Sequence, residues 1–273
     1  MAARMNRFFS GIASAISLVL LLGGCEKSPP PIPTPTSTPR PTPQKPRPIR
    51  NNQPVAQKAT VVYAVRTKEK VFALTFDDGP HPTYTPQVLA ALKKRGVKAT
   101  FFMVGSMVRA YPKMAQTVFK AGHPVANHSW SHPFKSKSPK AEVEHTDAMI
   151  KKVVGVRSTL FRPPYGLLHN GLADAALKRG ESVVIWSSYG ADWDKNATSR
   201  SIAAKVLRHA SPGGIALLHD GGGHRSETVA AVPIIIDTLK KHGYRFVTVP
   251  QLLKMGEPIT QPPPHIKRPA GDR

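Results

Sequence analysis

A chain of 273 residues with 40% hydrophobic side chains is long enough for one good-sized core plus appendages, which excludes a wholly disordered polypeptide. Its formal net charge of +23 comes from Lys and Arg spread along the whole chain, not from one basic, aromatic-interleaved block, so the charge suits an anionic surface polymer better than nucleic acid. Cys25 is the only cysteine, so no intramolecular disulfide can form, and an exported domain would have to stand on its core and on any bound metal.

The N-terminus has the pattern of a secretory signal. Arg4 and Arg7 precede an apolar run over residues 8–22 that is broken by serines and is too short for a membrane span. The run ends Leu22-Gly23-Gly24-Cys25, which resembles the lipobox of bacterial lipoproteins, where the cysteine becomes the first mature residue and carries the lipid. Residues 1–25 are therefore expected to be a lipoprotein-type signal peptide ending at a lipidated Cys25. Residues 26–60 are dominated by Pro, Thr, Ser, Lys and Arg and carry no periodic apolar face, so they read as a disordered linker. In polyproline II conformation, at roughly 3.1 Å per residue, some thirty residues would hold a domain up to roughly 90 Å from its anchor. A folded domain is expected over residues 61–257, followed by a Pro-rich basic tail over 258–273 to which the sequence assigns no function.

Within the domain, an apolar run from Val71 to Leu74 leads into Thr75-Phe76-Asp77-Asp78-Gly79-Pro80. It predicts a buried strand that delivers two adjacent carboxylates to its C-terminal end. Successive strand side chains point to opposite faces, so both aspartates can serve one pocket only if the backbone turns there, and Gly79-Pro80 supplies a turn. Taken alone, the stretch reads equally as an Asp-rich turn capping a strand. A helix is expected over 85–95, stopping at Gly96, then a strand over 99–104, a helix around 112–120 and a strand through Val125. The next helix spans 138–154, with Ser138 as N-cap and Pro139 at the first helical position. A strand begins at Leu160-Phe161; a helix over 170–179 and a strand over 182–186 follow. Then come a helix over 198–210, a strand over 215–218, a helix over 227–241 in which Pro233 should cause a kink, and a strand over 245–249. Strands and helices alternating at this spacing predict a parallel α/β sheet or barrel, with chemistry at the C-terminal strand ends.

The polar clusters of the sequence fall at those ends. Asn127-His128-Ser129-Trp130-Ser131-His132 places two imidazoles four residues apart just past a strand, a spacing that lets both reach one ion. With Asp78 as an oxygen ligand they would form a two-His, one-carboxylate site that leaves a position for water. In Phe161-Arg162-Pro163-Pro164-Tyr165-Gly166 the double proline suits a rigid loop holding an arginine and a main-chain N–H in fixed geometry, although a purely structural loop has the same composition. Asp192-Trp193 follows the strand over 182–186 and could shape a substrate pocket or belong to the rim. Leu217-Leu218-His219-Asp220-Gly221 sets an imidazole at the mouth of a late strand, where a structural histidine is the plain alternative.

These five stretches, in this order over residues 70–253, resemble the polysaccharide deacetylase family, the NodB homology domain of carbohydrate esterase family 4. The resemblance implies a distorted (β/α) barrel of about seven strands and one divalent metal, commonly Zn²⁺, with Co²⁺ or another borderline ion as an alternative. By the same resemblance Asp77 would be the catalytic base and Asp78, His128 and His132 the metal ligands. Arg162 would hold Asp77, Tyr165 would offer its backbone N–H to the oxyanion, Asp192 would orient His219, and His219 would be the general acid. Trp193 and Leu217, with Pro163 nearby, would wall the space around the acetyl methyl. Tyr189 stands where many members carry a further Asp, and is expected to affect substrate preference.

The activity so implied is metal-dependent N-deacetylation of N-acetylglucosamine residues in an envelope glycan. Peptidoglycan is the first choice given the lipoprotein-like N-terminus, and the product would be acetate. Chitin, exported poly-N-acetylglucosamine and O-acetyl xylan are alternative substrates, and a catalytically inactive glycan-binding lipoprotein is the alternative from another class. The expected location is the cell envelope, membrane-anchored and facing periplasm or wall, with no nucleic-acid partner. Replacing Cys25 by Ala should leave the protein without lipid, either exported or stalled as precursor. Mass spectrometry of the N-terminal peptide extracted from membranes tests this, and an unmodified Cys25 in the native chain would contradict it.

Overall fold

The computed structural model describes residues 59–266, so the expected signal peptide, Cys25 and nearly all of the linker lie outside the described residues. The first half runs β1 (Val61–Val62), β2 (Ala64–Arg66), β3 (Val71–Asp77), α1 (Tyr84–Lys94), β4 (Thr100–Met103), α2 (Gly105–Ala110), α3 (Pro112–Lys120), β5 (Val125–Asn127) and α4 (Pro139–Val154). The second half runs β6 (Leu160–Phe161), a 3-10 turn at Pro164–Gly166, α5 (Leu172–Lys178), β7 (Ser182–Val184), β8 (Ser188–Tyr189) and α6 (Ser199–Arg208). It ends with β9 (Gly214–His219), α7 (Ser226–Lys241), β10 (Arg245–Phe246), α8 (Val249–Leu252) and β11 (Glu257–Ile259).

Seven of these strands pair in parallel in the order β1-β7-β6-β5-β4-β3-β9, which is the expected distorted barrel of about seven strands. Two antiparallel strands, β2 against β9 and β11 against β2, extend the ring. The Tyr63 N–H then donates to the Ile259 carbonyl at 2.9 Å and brings the two ends of the ring together, so its edges are largely covered. The shorter β8 and β10 pair on β9 and β3.

Strand β3 organises both layers of the core. Phe72, Leu74 and Phe76 pack outward with Val88 and Leu92 of α1 and Ile235 and Ile236 of α7, whereas Val71 and Ala73 join the interior cluster with Phe102, Val184 and Ile215. The strand period of two puts Thr75 and Asp77 on the interior face with Val71 and Ala73. Asp77 therefore ends an inward column of β3, buried at the C-terminal mouth of the barrel.

Several local expectations are corrected. Ser138 precedes α4 without a side-chain capping bond. The strand from Ser182 stops at Val184 and pairing resumes, on β9 instead of β6, only at Ser188. The strand from Arg245 ends at Phe246 because Thr248 and Gln251 form a capping box that starts α8. Helix α7 starts at Ser226, one residue before the expected span, and contains Pro233. Pro258 and Ile259 belong to β11, Ile266 packs beside Tyr63 and Leu172, and His265 Nε2 lies 2.7 Å from the Ser187 carbonyl. Ending the chain at Gly256 should therefore lower Tm by about 4 °C or more, as loss of roughly 1–2 kcal/mol does in a domain of this size. Calorimetry checks this, and an unchanged Tm would contradict a structural role for β11.

Candidate active site

The chain leaves β3 at Asp78, which adopts φ +70, so the turn falls on the second aspartate itself and both carboxylates reach one cleft. Glycines Gly221 and Gly222 after β9 make this possible, since a Cβ on either would collide with Asp78.

Arg162, at the end of β6, is fully buried, and its guanidinium is satisfied on several sides. Nη1 donates to Asp77 Oδ1 and to Thr75 Oγ1, both at 2.7 Å; Nε donates to the Val184 carbonyl at 2.9 Å and Nη2 to the Ile185 carbonyl at 3.0 Å. Its plane rests 4.1 Å from the centre of the Phe102 ring. A buried ion pair breaks even only when its remaining donors are met, and here four different acceptors meet them.

The two histidines come from a tied loop, not a helix. Glu142 of α4 accepts the N–H groups of Trp130 and Ser131 at 2.8 Å, and Ser129 and His132 take positive φ. Asn127 fixes the start of the loop: its Oδ1 accepts from Ser129 N, and its Nδ2 donates to the Val143 carbonyl and to Asp147 Oδ1. His128 Nδ1 donates to the Arg162 carbonyl at 2.7 Å, which leaves Nε2 as the ring nitrogen that faces the cleft. Burial and the neighbouring His128 hold His132 down to about 4, so His132 is neutral near pH 7.

His128 Nε2 and His132 Nε2 each lie 3.4 Å from Asp78 Oδ1. Ligand atoms about 2.0–2.1 Å from one tetrahedral ion stand roughly 3.4 Å apart, so the separations match shared coordination. Asp78 Oδ1 is buried with no hydrogen-bond partner, an expensive state that a cation would relieve. Asp78, His128 and His132 thus fit a divalent ion, and the N/N/O donor set suits a borderline metal.

On the other side of the cleft His219 ends β9. Its Nδ1 donates to Asp192 Oδ1 at 2.8 Å and its backbone N–H to Asp192 Oδ2 at 2.9 Å. Burial pulls the His219 pKa down, but the Asp192 charge and hydrogen bond, with smaller shares from Asp78 and Asp77, outweigh it and raise the group to about 9. Asp192 is itself held low: burial works against its ionisation, and His219, Thr228 and Arg225 more than offset that. Trp193 is half-exposed, stacks on Tyr189 at 5.8 Å and meets His219 edge-on.

Nine of the twelve residues singled out from sequence line one cleft of about 750 Å³; of the other three, Asp192 sits directly behind His219, Arg162 sits directly behind Asp77 beneath the cleft floor, and Cys25 lies outside the described residues. Tyr165 lies at its edge with φ 59, a conformation imposed between Pro164 and Gly166. Sequence reasoning missed Thr75, Thr228 and Arg225. Thr228 Oγ1 donates to Asp192 Oδ2 at 2.8 Å, and Arg225 spans the Asp192 and Gly221 carbonyls. Arg225 could have been suspected from the glycine run before it, whereas Thr228 depends on how α7 packs.

Fold and site define a metal-dependent hydrolase of the α/β barrel type, and the comparisons give the family. A polysaccharide deacetylase family model matches residues 64–184. A peptidoglycan-N-acetylglucosamine deacetylase of Bacillus cereus is 43% identical over 199 residues, which are 71% of this chain and 93% of that protein. The crystal structure of the Bc1960 peptidoglycan N-acetylglucosamine deacetylase, in complex with 4-naphthalen-1-yl-N-oxidanyl-benzamide, superposes with a TM-score of 0.67 at 33% identity, covering 75% of this chain and 96% of that one. A family 4 acetyl xylan esterase from Clostridium thermocellum, in complex with a cobalt ion, gives a TM-score of 0.62 at 36% identity over 68% of this chain and 91% of that one. The chain belongs to the polysaccharide deacetylase family.

Removing the cation at the floor of the site leaves a buried carboxylate without its partner. Arg162→Met should therefore cost about 3–5 kcal/mol in urea unfolding. A loss below about 1 kcal/mol, the range of an exposed pair, would contradict the burial argument.

Proposed function

We propose that this chain is a metal-dependent peptidoglycan N-acetylglucosamine deacetylase. The observation that carries the reading is the pairing on either side of Asp78, His128 and His132: a carboxylate, Asp77, held by Arg162, and an imidazole, His219, held protonated by Asp192. Amide hydrolysis needs an activated water, a stabilised oxyanion and a proton for the departing nitrogen. Asp77 takes the proton of the attacking water. The Tyr165 backbone N–H, on the turn after the double proline, would serve the oxyanion. His219 gives its Nε2 proton to the nitrogen as the C–N bond breaks; acetate leaves and the glycan keeps a free amine. Trp193, Leu217 and Pro163 wall the space for the acetyl methyl. Asp78, His128 and His132 would hold a divalent ion, Zn²⁺ or another borderline metal, which would supply Lewis acidity toward the carbonyl and the water.

The substrate choice rests on the Bacillus cereus relative, whose similarity runs over nearly its whole length. The lipoprotein form and the envelope location rest on the sequence over residues 4–25, and the Pro-rich linker would give the domain reach into a wall.

Acetate release from purified peptidoglycan tests the reading. The unmodified chain should release acetate, and Asp77→Asn and His219→Ala should each cut turnover by roughly 10²-fold or more. Near wild-type rates in both variants would refute the assigned roles. His219 must be protonated to act, so the rate should fall as pH rises through its pKa, held at about 9. Asp192→Asn removes the charge that raises that pKa, so the alkaline fall should move to lower pH. A pH–rate profile with an unmoved alkaline limb in Asp192→Asn would contradict the coupling.

A further inference from the structure

Of the large hydrophobic side chains that stand exposed among the described residues, Phe134, Tyr165 and Trp193 gather around the cleft, and Phe134 is the one that no role yet described uses. It lies outside the cleft lining, on the loop between the histidine turn and α4, and is 49% exposed. Its ring meets Tyr165 edge-to-face at 5.4 Å, and Tyr165 meets His132 in the same way at 4.6 Å. A continuous row of aromatic contacts thus runs from a metal-ligand histidine to the surface.

The backbone that carries the ring is tied on both sides. Asn170 Nδ2 donates to the Phe134 carbonyl at 3.3 Å, and the Glu142 carboxylate holds the Ser131 backbone and hydroxyl a few residues earlier. An exposed aromatic on a tied loop forgoes burial worth about 1.5–3 kcal/mol, which is unexpected unless something covers it. Trp193, stacked on Tyr189, presents a second exposed ring from the other side of β3, beside His219. A polymer whose reacting sugar sits between Asp77 and His219 must leave the cleft at both rims. The C–H face of a pyranose is the apolar surface it would offer to an aromatic ring there.

We propose that Phe134 is a stacking ledge for the sugar next to the one that reacts, so that it selects polymeric N-acetylhexosamine over short fragments. The proposal rests on the deacetylase reading for its choice of glycan. Phe134 is a positioning residue, not a catalytic one, and acts on the binding of chain length.

The experiment is calorimetric titration of the zinc-loaded chain in a His219→Ala background, where the glycan is not consumed, with N-acetylchitohexaose and the monosaccharide N-acetylglucosamine as probes. Adding Phe134→Ala should weaken hexamer binding by about tenfold and leave the monosaccharide unchanged, and Phe134→Trp should restore the hexamer to within about twofold. Equal hexamer binding with and without the Phe134 ring, equal weakening of both lengths, or no hexamer preference in the parent would each overturn the ledge. Acetate release from peptidoglycan by the unmodified chain is measured alongside. Release combined with unchanged binding in Phe134→Ala removes the ledge and keeps the deacetylase. Selective hexamer loss without release keeps the ledge as a glycan contact and removes the deacetylase.

Discussion

The buried pair of Arg162 and Asp77 is the constraint on which the site depends. A guanidinium with no solvent exposure is tolerable only if nearly every donor is met, and the four acceptors come from two strands: Thr75 and Asp77 of β3, and Val184 at the end of β7 with Ile185 after it. Phe102 of β4 supplies the face beneath it. The barrel cannot shift one of these strands without breaking a charged hydrogen bond in a place water does not reach, where such a loss is most costly. The same residue also offers its carbonyl to His128 Nδ1. One arginine therefore orients both the carboxylate assigned as base, through its side chain, and a metal-ligand imidazole, through its main chain.

The opposite side of the cleft is built on a reversed charge order. Around Asp77 a buried cation serves a carboxylate that faces the cleft; around His219 a buried carboxylate serves an imidazole that faces it. Asp192 is in turn fixed by Thr228 and, through its carbonyl, by Arg225. The two halves are joined at the β3–β9 pairing, where Asp77 and His219 lie directly opposite each other in register. That register sets a carboxylate and an imidazole on neighbouring strand ends, with Asp78, His128 and His132 close by.

Much of this was legible in the sequence because parallel α/β folds put their chemistry at the C-terminal ends of strands, and the motifs followed apolar runs of the right length. Helices over 112–120 and 139–154 were readable from apolar spacing and glycine stops. The closing strands were not. Residues 61–62, 64–66 and 257–259 are too short to show a period, and Pro258 made the last of them look like part of a tail. A proline is tolerated there because β11 lies at the end of the strand order, where one missing N–H costs little. Helix α2 has only six residues and begins at a glycine, so it carries no readable face. Thr75 and Thr228 were invisible for another reason: their importance lies in contacts across 87 and 36 residues of chain, which no local pattern encodes.

The central claim is that the Asp78, His128 and His132 site drives amide hydrolysis with a single divalent ion. Titrating metal-stripped protein with Zn²⁺ while following acetate release from peptidoglycan tests it most directly. The account predicts no release at the start, a linear rise with added metal and a plateau at about one equivalent, as expected for one tight site of three protein ligands. Full release from the metal-stripped protein, or a plateau reached only at two equivalents, would contradict it.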